Sequence, residues 1–106
     1  MAHAEETNFR CNATQNTYAN NLTCLKDVYQ YNNQKLDAAY QNTLENLSSD
    51  KKKQLKKQQK IWKKSRNRDC NKLTNVEKFG EESQLMTLQC KIQKTKARIN
   101  VVKNYK

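Results

Sequence analysis

The 106-residue chain contains no proline and a single glycine, Gly80. β-Hairpins, sandwiches, barrels and phosphate-cradling loops need residues that take a positive or a fixed φ at their turns, and this chain has almost none to offer. Long helices with few connections remain. The hydrophobic share is 35%, below the ~45–50% of ordinary globular proteins. One domain with a thin core fits these figures, and a large enzyme with a deep core does not.

The apolar pattern supports helices directly. From Tyr18 the larger apolar residues fall at Leu22, Leu25, Tyr29, Leu36, Tyr40, Leu44 and Leu47, in steps of three or four with one double step across Asn32-Asn33. This predicts an amphipathic helix over about residues 15–47. The Ser48-Ser49-Asp50 cluster breaks the pattern, and Ser49 or Asp50 is the expected N-cap of a second helix over about 50–73. That helix carries Leu55, Gln59, Trp62, Arg66, Cys70 and Leu73 on one stripe, an unusually polar core face. Residues 74–81 lose the period and are expected to form a loop. A third helix over about 83–103 follows, with Leu85, Leu88, Ile92, Thr95, Ile99 and Val102 repeating at three and four. The expectation is an all-α, elongated, antiparallel three-helix bundle forming one domain over residues 11–106, preceded by a disordered stretch over residues 1–10.

The net charge of +11 is concentrated in one segment. Between Lys51 and Arg68 there are eight Lys, two Arg and no acid, so the rest of the chain is nearly neutral.

Four cysteines need a reason in so polar a chain. Twelve residues separate Cys11 from Cys24, forty-five lead on to Cys70, and nineteen more to Cys90. No close Cys pair occurs and the one His is His3, so neither a zinc site nor any cofactor is expected. Two disulfides formed in an oxidising compartment are expected instead. Local pairing, Cys11 with Cys24 and Cys70 with Cys90, is favoured because Cys11 can fold back along the first helix and the second pair flanks the loop. The spacing also leaves the two crossed connectivities open. Ala2-His3-Ala4 has the small-x-small form of a signal-peptidase box, so the expected location is the periplasm or the exterior after signal-peptide removal. No apolar run approaches the ~20 residues of a membrane span.

A family resemblance emerges from these residues. Cys24, Asn33, Leu36-Asp37 and Tyr40, then Leu55, Gln59, Trp62, Arg66 and Cys70, then Cys90, Thr95 and Arg98 resemble the lysozyme-inhibitor LprI-like domain of bacterial exported proteins. The Gln-x-x-Trp-x-x-x-Arg-x-x-x-Cys spacing is the most specific part, and the likeness covers about residues 11–99. Three positions depart from the pattern: Asn33 stands where the family has Asp, Asp37 where it has Asn, and Asn67 where an Asp follows the Arg. An acid-to-arginine pair between positions 33 and 66 therefore becomes an amide-to-guanidinium hydrogen bond.

The resemblance implies a non-catalytic binding protein that inhibits or modulates a lysozyme or another cell-wall lytic enzyme. Catalysis is not expected on other grounds either, because no activated thiol or well-placed His is available. An inhibitor of a lysozyme must plug a cleft that holds two carboxylates; a projecting Lys or Arg could pair with them, and the candidates are Lys78 and the second-helix lysines. A strongly basic target would be repelled, so an acidic or neutral lytic enzyme, or a toxin, suits the charge better. The alternative is a polyanion-binding module for lipopolysaccharide, anionic lipid or a wall polymer, acting through Lys52, Lys53, Lys56, Lys57, Lys60, Lys63 and Lys64. Nucleic acid is a partner only if export fails. Asn33, Gln59, Trp62 and Arg66 are expected to form a structural polar network, since buried polar groups must find partners. A recognition pocket at the seam of the first two helices is the competing reading of the same residues.

Overall fold

A computed structural model describes Cys11 and residues 18–106. The helices are α1 (Tyr18–Glu45), α2 (Ser49–Asn71), a single-turn α3 (Val76–Phe79) and α4 (Ser83–Lys103). Among the described residues there is no strand, and the molecule measures 49 × 36 × 14 Å along its principal axes. The expectations for residues 1–10, for the signal-peptidase box and for a first helix starting at residue 15 fall outside the described residues.

Helix boundaries follow local chemistry. The last turn of α1 tightens as the Asn46 N–H donates to the Thr43 carbonyl (3.1 Å) and the Leu47 N–H to that of Leu44 (3.2 Å), so α1 stops at Glu45 rather than 47. Ser48 then takes an extended conformation, φ −63° and ψ 164°, and its hydroxyl accepts the Lys51 N–H. Ser48 is thus the N-cap in place of Ser49 or Asp50: it holds the non-helical backbone a cap needs, while Asp50 in the first turn faces the positive helix end. Three residues close this hairpin with no positive φ outside glycine among the described residues.

Residues 74–81 are not an irregular loop. A 3-10 turn over Lys72–Thr74, helix α3 and a second 3-10 turn over Gly80–Glu82 carry the chain to α4. Short helical turns satisfy backbone groups that an irregular loop would leave to water. Gly80 has φ +76° and would meet nothing within 4 Å if it bore a Cβ, so its backbone conformation, not space, favours glycine there.

Both disulfides form with the local pairing, Cys11–Cys24 and Cys70–Cys90. The side-chain contacts fix the helix directions. Leu36 and Ala39 cluster with Ile99 and Val102, and Leu25 and Val28 with Ile92, so α1 and α4 run parallel. Gln59 meets Arg98, Arg66 meets Thr95 and Cys70 meets Cys90, so α2 runs antiparallel to both. The backbone of α1 packs mainly on α4 and that of α2 on α4 and the turn after it, leaving α1 and α2 to meet through long side chains.

The core is therefore two small apolar clusters rather than one. Tyr40 and Trp62 pack against the first, and Tyr29, Leu85, Leu88 and the Cys11–Cys24 bridge against the second. Between them lie buried Asn32 and Thr95. The double step in the α1 pattern is filled by Asn32, whose amide donates to the Val28 carbonyl at 2.9 Å and so satisfies itself within its own helix.

Candidate functional site

A polar layer divides the two clusters, and Arg66 is its centre. Its place on the α2 stripe puts it 6% exposed, where an arginine needs several acceptors. Nη1 donates to Asn33 Oδ1 (3.0 Å) and Thr95 Oγ1 (3.2 Å), and Nε to Asn67 Oδ1 (3.0 Å). One side chain thereby joins all three long helices. Gln59 and Arg98 extend the layer, with Arg98 Nε donating to Gln59 Oε1 at 2.9 Å.

Trp62 organises the two cations. The Arg66 guanidinium lies 5.0 Å from its ring centroid and that of Arg98 5.6 Å, while Arg66 also lies 5.4 Å from the ring of Tyr29. The electron-rich ring faces offset part of the repulsion between two neighbouring positive charges. Among the described residues neither arginine pairs with a carboxylate: the ion pairs are Lys63–Asp37, Arg68–Asp69 and Lys72–Asp69. Asn33 and Asn67 accept hydrogen bonds but supply no charge. Burial pushes Arg98 down from its ordinary pKa, and its Nη2, like Gln59 Nε2, is buried without a hydrogen-bond partner.

Beside this layer an open groove of about 270 Å³ runs between α2 and α4. Trp62, Ser65 and Arg66 line one wall, and Lys94, Ala97, Arg98 and Val101 the other. The α4 residues follow steps of three, one and three, which place them on one stripe adjoining the buried one. The Ser65 hydroxyl donates to Asp69 Oδ2 at 3.3 Å. Asp69 in turn is held below its ordinary carboxylate pKa first by the hydrogen bond from Arg68, then by the charges of Arg68 and Lys72 and the Ser65 bond, against an opposing effect of burial. A second depression, about 440 Å³, lies at the hairpin end between Asn46, Ser48, Lys51 and the C-terminal Tyr105 and Lys106.

The structure treats the candidate residues of the sequence in different ways. Asn33, Gln59, Trp62 and Arg66 converge in the layer just described. The lysines do not converge. Lys53, Lys57, Lys60 and Lys64 are exposed on the face of α2 opposite its buried residues, at steps of four, three and four. Lys56 and Lys63 share another face, and Lys63 reaches Asp37 of α1 at 3.9 Å. Lys52 is half-buried, and Lys78 is exposed on α3, a full α2 length from the hairpin. Sequence reasoning gave no role to Asn32, Lys94 or Val101. Asn32 sits in the gap of the apolar pattern and was detectable there; Lys94 and Val101 line a groove only because α2 lies alongside them.

Among the described residues no group of three or more His, Cys, Asp or Glu side chains could hold a metal ion, and no helix is long and apolar enough to cross a membrane. A protein-family model described as lysozyme inhibitor LprI matches residues 11–101. No curated protein and no solved structure matches the chain.

Proposed function

Because the chain belongs to the lysozyme inhibitor LprI family, we propose that it is an exported, non-catalytic binding protein that inhibits a lysozyme or another cell-wall lytic enzyme. The observation that carries this reading is the family match over residues 11–101, which takes in α1, α2, all but the last two residues of α4, and both disulfides. Its chemistry is compatible with that role. Glycan-cleaving sites depend on a pair of carboxylates, and this protein presents exposed lysines on a scaffold braced by two disulfides. Disulfides also suit an oxidising compartment outside the cytoplasm. The target should be neutral or acidic, because a strongly basic enzyme would be repelled during encounter.

The test is a turbidity assay of wall lysis by a panel of lytic enzymes differing in surface charge, with this protein added at low and at moderate salt. Saturable, stoichiometric inhibition of one enzyme that survives moderate salt is the expected result. Inhibition that salt abolishes, or none with any member, would overturn the reading, the former in favour of general charge attraction along α2.

A further inference from the structure

We infer that the groove between α2 and α4 over Trp62 is the docking site for an acidic segment of the protein partner, seating a carboxylate beside Arg66, Lys94 and Arg98 and an aliphatic side chain against Trp62, Ala97 and Val101. The inference rests on the inhibitor reading for the class of partner and adds where on this chain the partner binds.

Three independent observations converge on this groove. The first is charge. Arg66 and Arg98 lie at 5.0 and 5.6 Å from one indole ring, and among the described residues no carboxylate pairs with either. Lys94 adds a third cation on the rim. The nearest acid on α2, Asp69, is already committed to Arg68, Lys72 and Ser65. Paired guanidiniums at the edge of a low-dielectric interior attract an anion far more strongly than lysines spread through water.

The second is unspent hydrogen-bonding capacity. Arg98 Nη2 and Gln59 Nε2 are buried donors without partners, a costly arrangement in a free protein. Arg98 as a residue is only partly buried. Turning its guanidinium outward would give up the Nε bond to Gln59 and bring Nη2 to a carboxylate in the groove, replacing one neutral bond and one unmade bond with charge-assisted ones.

The third is apolar exposure. Two large hydrophobic residues are exposed among the described ones, Ile61 at 58% and Val101 at 52%. Val101 lines the groove, and Ile61 lies one α2 turn from Ser65 on its wall. An aromatic floor, an aliphatic edge and a cationic rim make the composition of a protein-binding centre. The exposed lysines of α2 then act at longer range, drawing an acidic partner toward the groove without setting its register.

The test uses the full chain and its single tryptophan, Trp62, as the reporter. The probes are the blocked peptide Glu-Glu-Leu-Glu-Glu, its Gln-Gln-Leu-Gln-Gln counterpart and inorganic phosphate, titrated at about 0.15 M salt to screen loose attraction. The Glu peptide should shift Trp62 emission saturably, with the Gln peptide roughly tenfold weaker or worse. Lys94→Glu and Val101→Glu alter exposed positions and should each weaken the Glu peptide by roughly tenfold with unchanged helicity, while Lys60→Glu on the far face changes affinity about twofold or less. Equal binding of both peptides, phosphate as effective as the Glu peptide, or equal losses at Lys60 and Lys94 would overturn the proposal. The lysis assay separates the two readings. An enzyme inhibited equally by wild type and Val101→Glu removes the groove and leaves the inhibitor; groove binding of the Glu peptide with no enzyme inhibited does the reverse.

Discussion

Removing the Cys70–Cys90 bridge is the perturbation with the most calculable outcome. The cross-link closes a separation of 20 residues, which on chain-entropy grounds stabilises by ~3 kcal/mol. For a chain of 106 residues the unfolding entropy near the midpoint is ~0.22 kcal/mol/K, so the Cys70→Ala/Cys90→Ala variant should melt ~15 °C lower. The Cys11–Cys24 bridge closes 13 residues and has nearly the same entropic value, yet the two losses should differ in character. The buried residues of α2 are Leu55, Gln59, Arg66 and Cys70, so a single aliphatic side chain anchors it, worth only ~2–3 kcal/mol. The same helix carries the positive segment from Lys51 to Arg68, whose self-repulsion favours release. Without Cys70–Cys90, α2 should leave α4 before α1 and α4 separate. The assay is parallel melting by ellipticity at 222 nm and by Trp62 emission. The Trp62 transition should fall first and rise again when salt is added. A loss below ~1 kcal/mol, or about 5 °C, or coincident transitions in the variant, would refute the view that α2 depends on its bridge.

Three other outcomes are expected. Arg66→Met strands Asn33 Oδ1 and Thr95 Oγ1 and should cost ~2–4 kcal/mol in urea unfolding, and a double-mutant cycle with Thr95→Val should show coupling; a neutral Arg66→Met would mean the layer is not a structural tie. Trp62 is half-buried, so Trp62→Ala should cost ~2–3 kcal/mol rather than the ~3–5 of a fully buried aromatic, and intact near-wild-type stability would place its value in binding alone. Asp69 has a folded pKa held low by Arg68, so it contributes stability above the ordinary aspartate range that disappears as pH falls through its folded value. Stability measured from neutral to strongly acidic pH should therefore fall less steeply for Asp69→Asn, and identical slopes would show the shift to be absent.

Much of the fold is legible in the residues because helix formation is local. The α4 stripe from Leu85 to Val102 needs only its own spacing to be read, and four of its members, Ile92, Thr95, Ile99 and Val102, are buried. The cap falls at Ser48 and not at Ser49 or Asp50 because all three have capping chemistry, and the choice depends on where the tightened end of α1 leaves the backbone. The turns between α2 and α4 were unreadable for a related reason. Helical turns of three or four residues are too short to establish a period.

The candidate site divides along the same line. Gln59 and Arg66 on an apolar stripe announced a polar interior, since such residues cannot be buried without partners. Their partners came from elsewhere. Arg98 and Thr95 are distant in sequence from Gln59 and Arg66, and only the antiparallel register of α2 on α4, fixed in part by Cys70–Cys90, brings them within 2.9 and 3.2 Å.

By itself, then, the sequence determined that this chain is helical, that four cysteines brace it, and that its positive charge lies on one helix, because periodicity, side-chain chemistry and charge are properties of neighbouring residues. The tertiary structure alone decided that α1 and α2 each pack on α4 instead of closely on each other. It also decided that a polar layer splits the core and that Trp62, Arg66, Arg98, Lys94 and Val101 share one groove. Those outcomes depend on how three helices settle together, and packing of that kind balances burial against hydrogen bonding over the whole molecule at once.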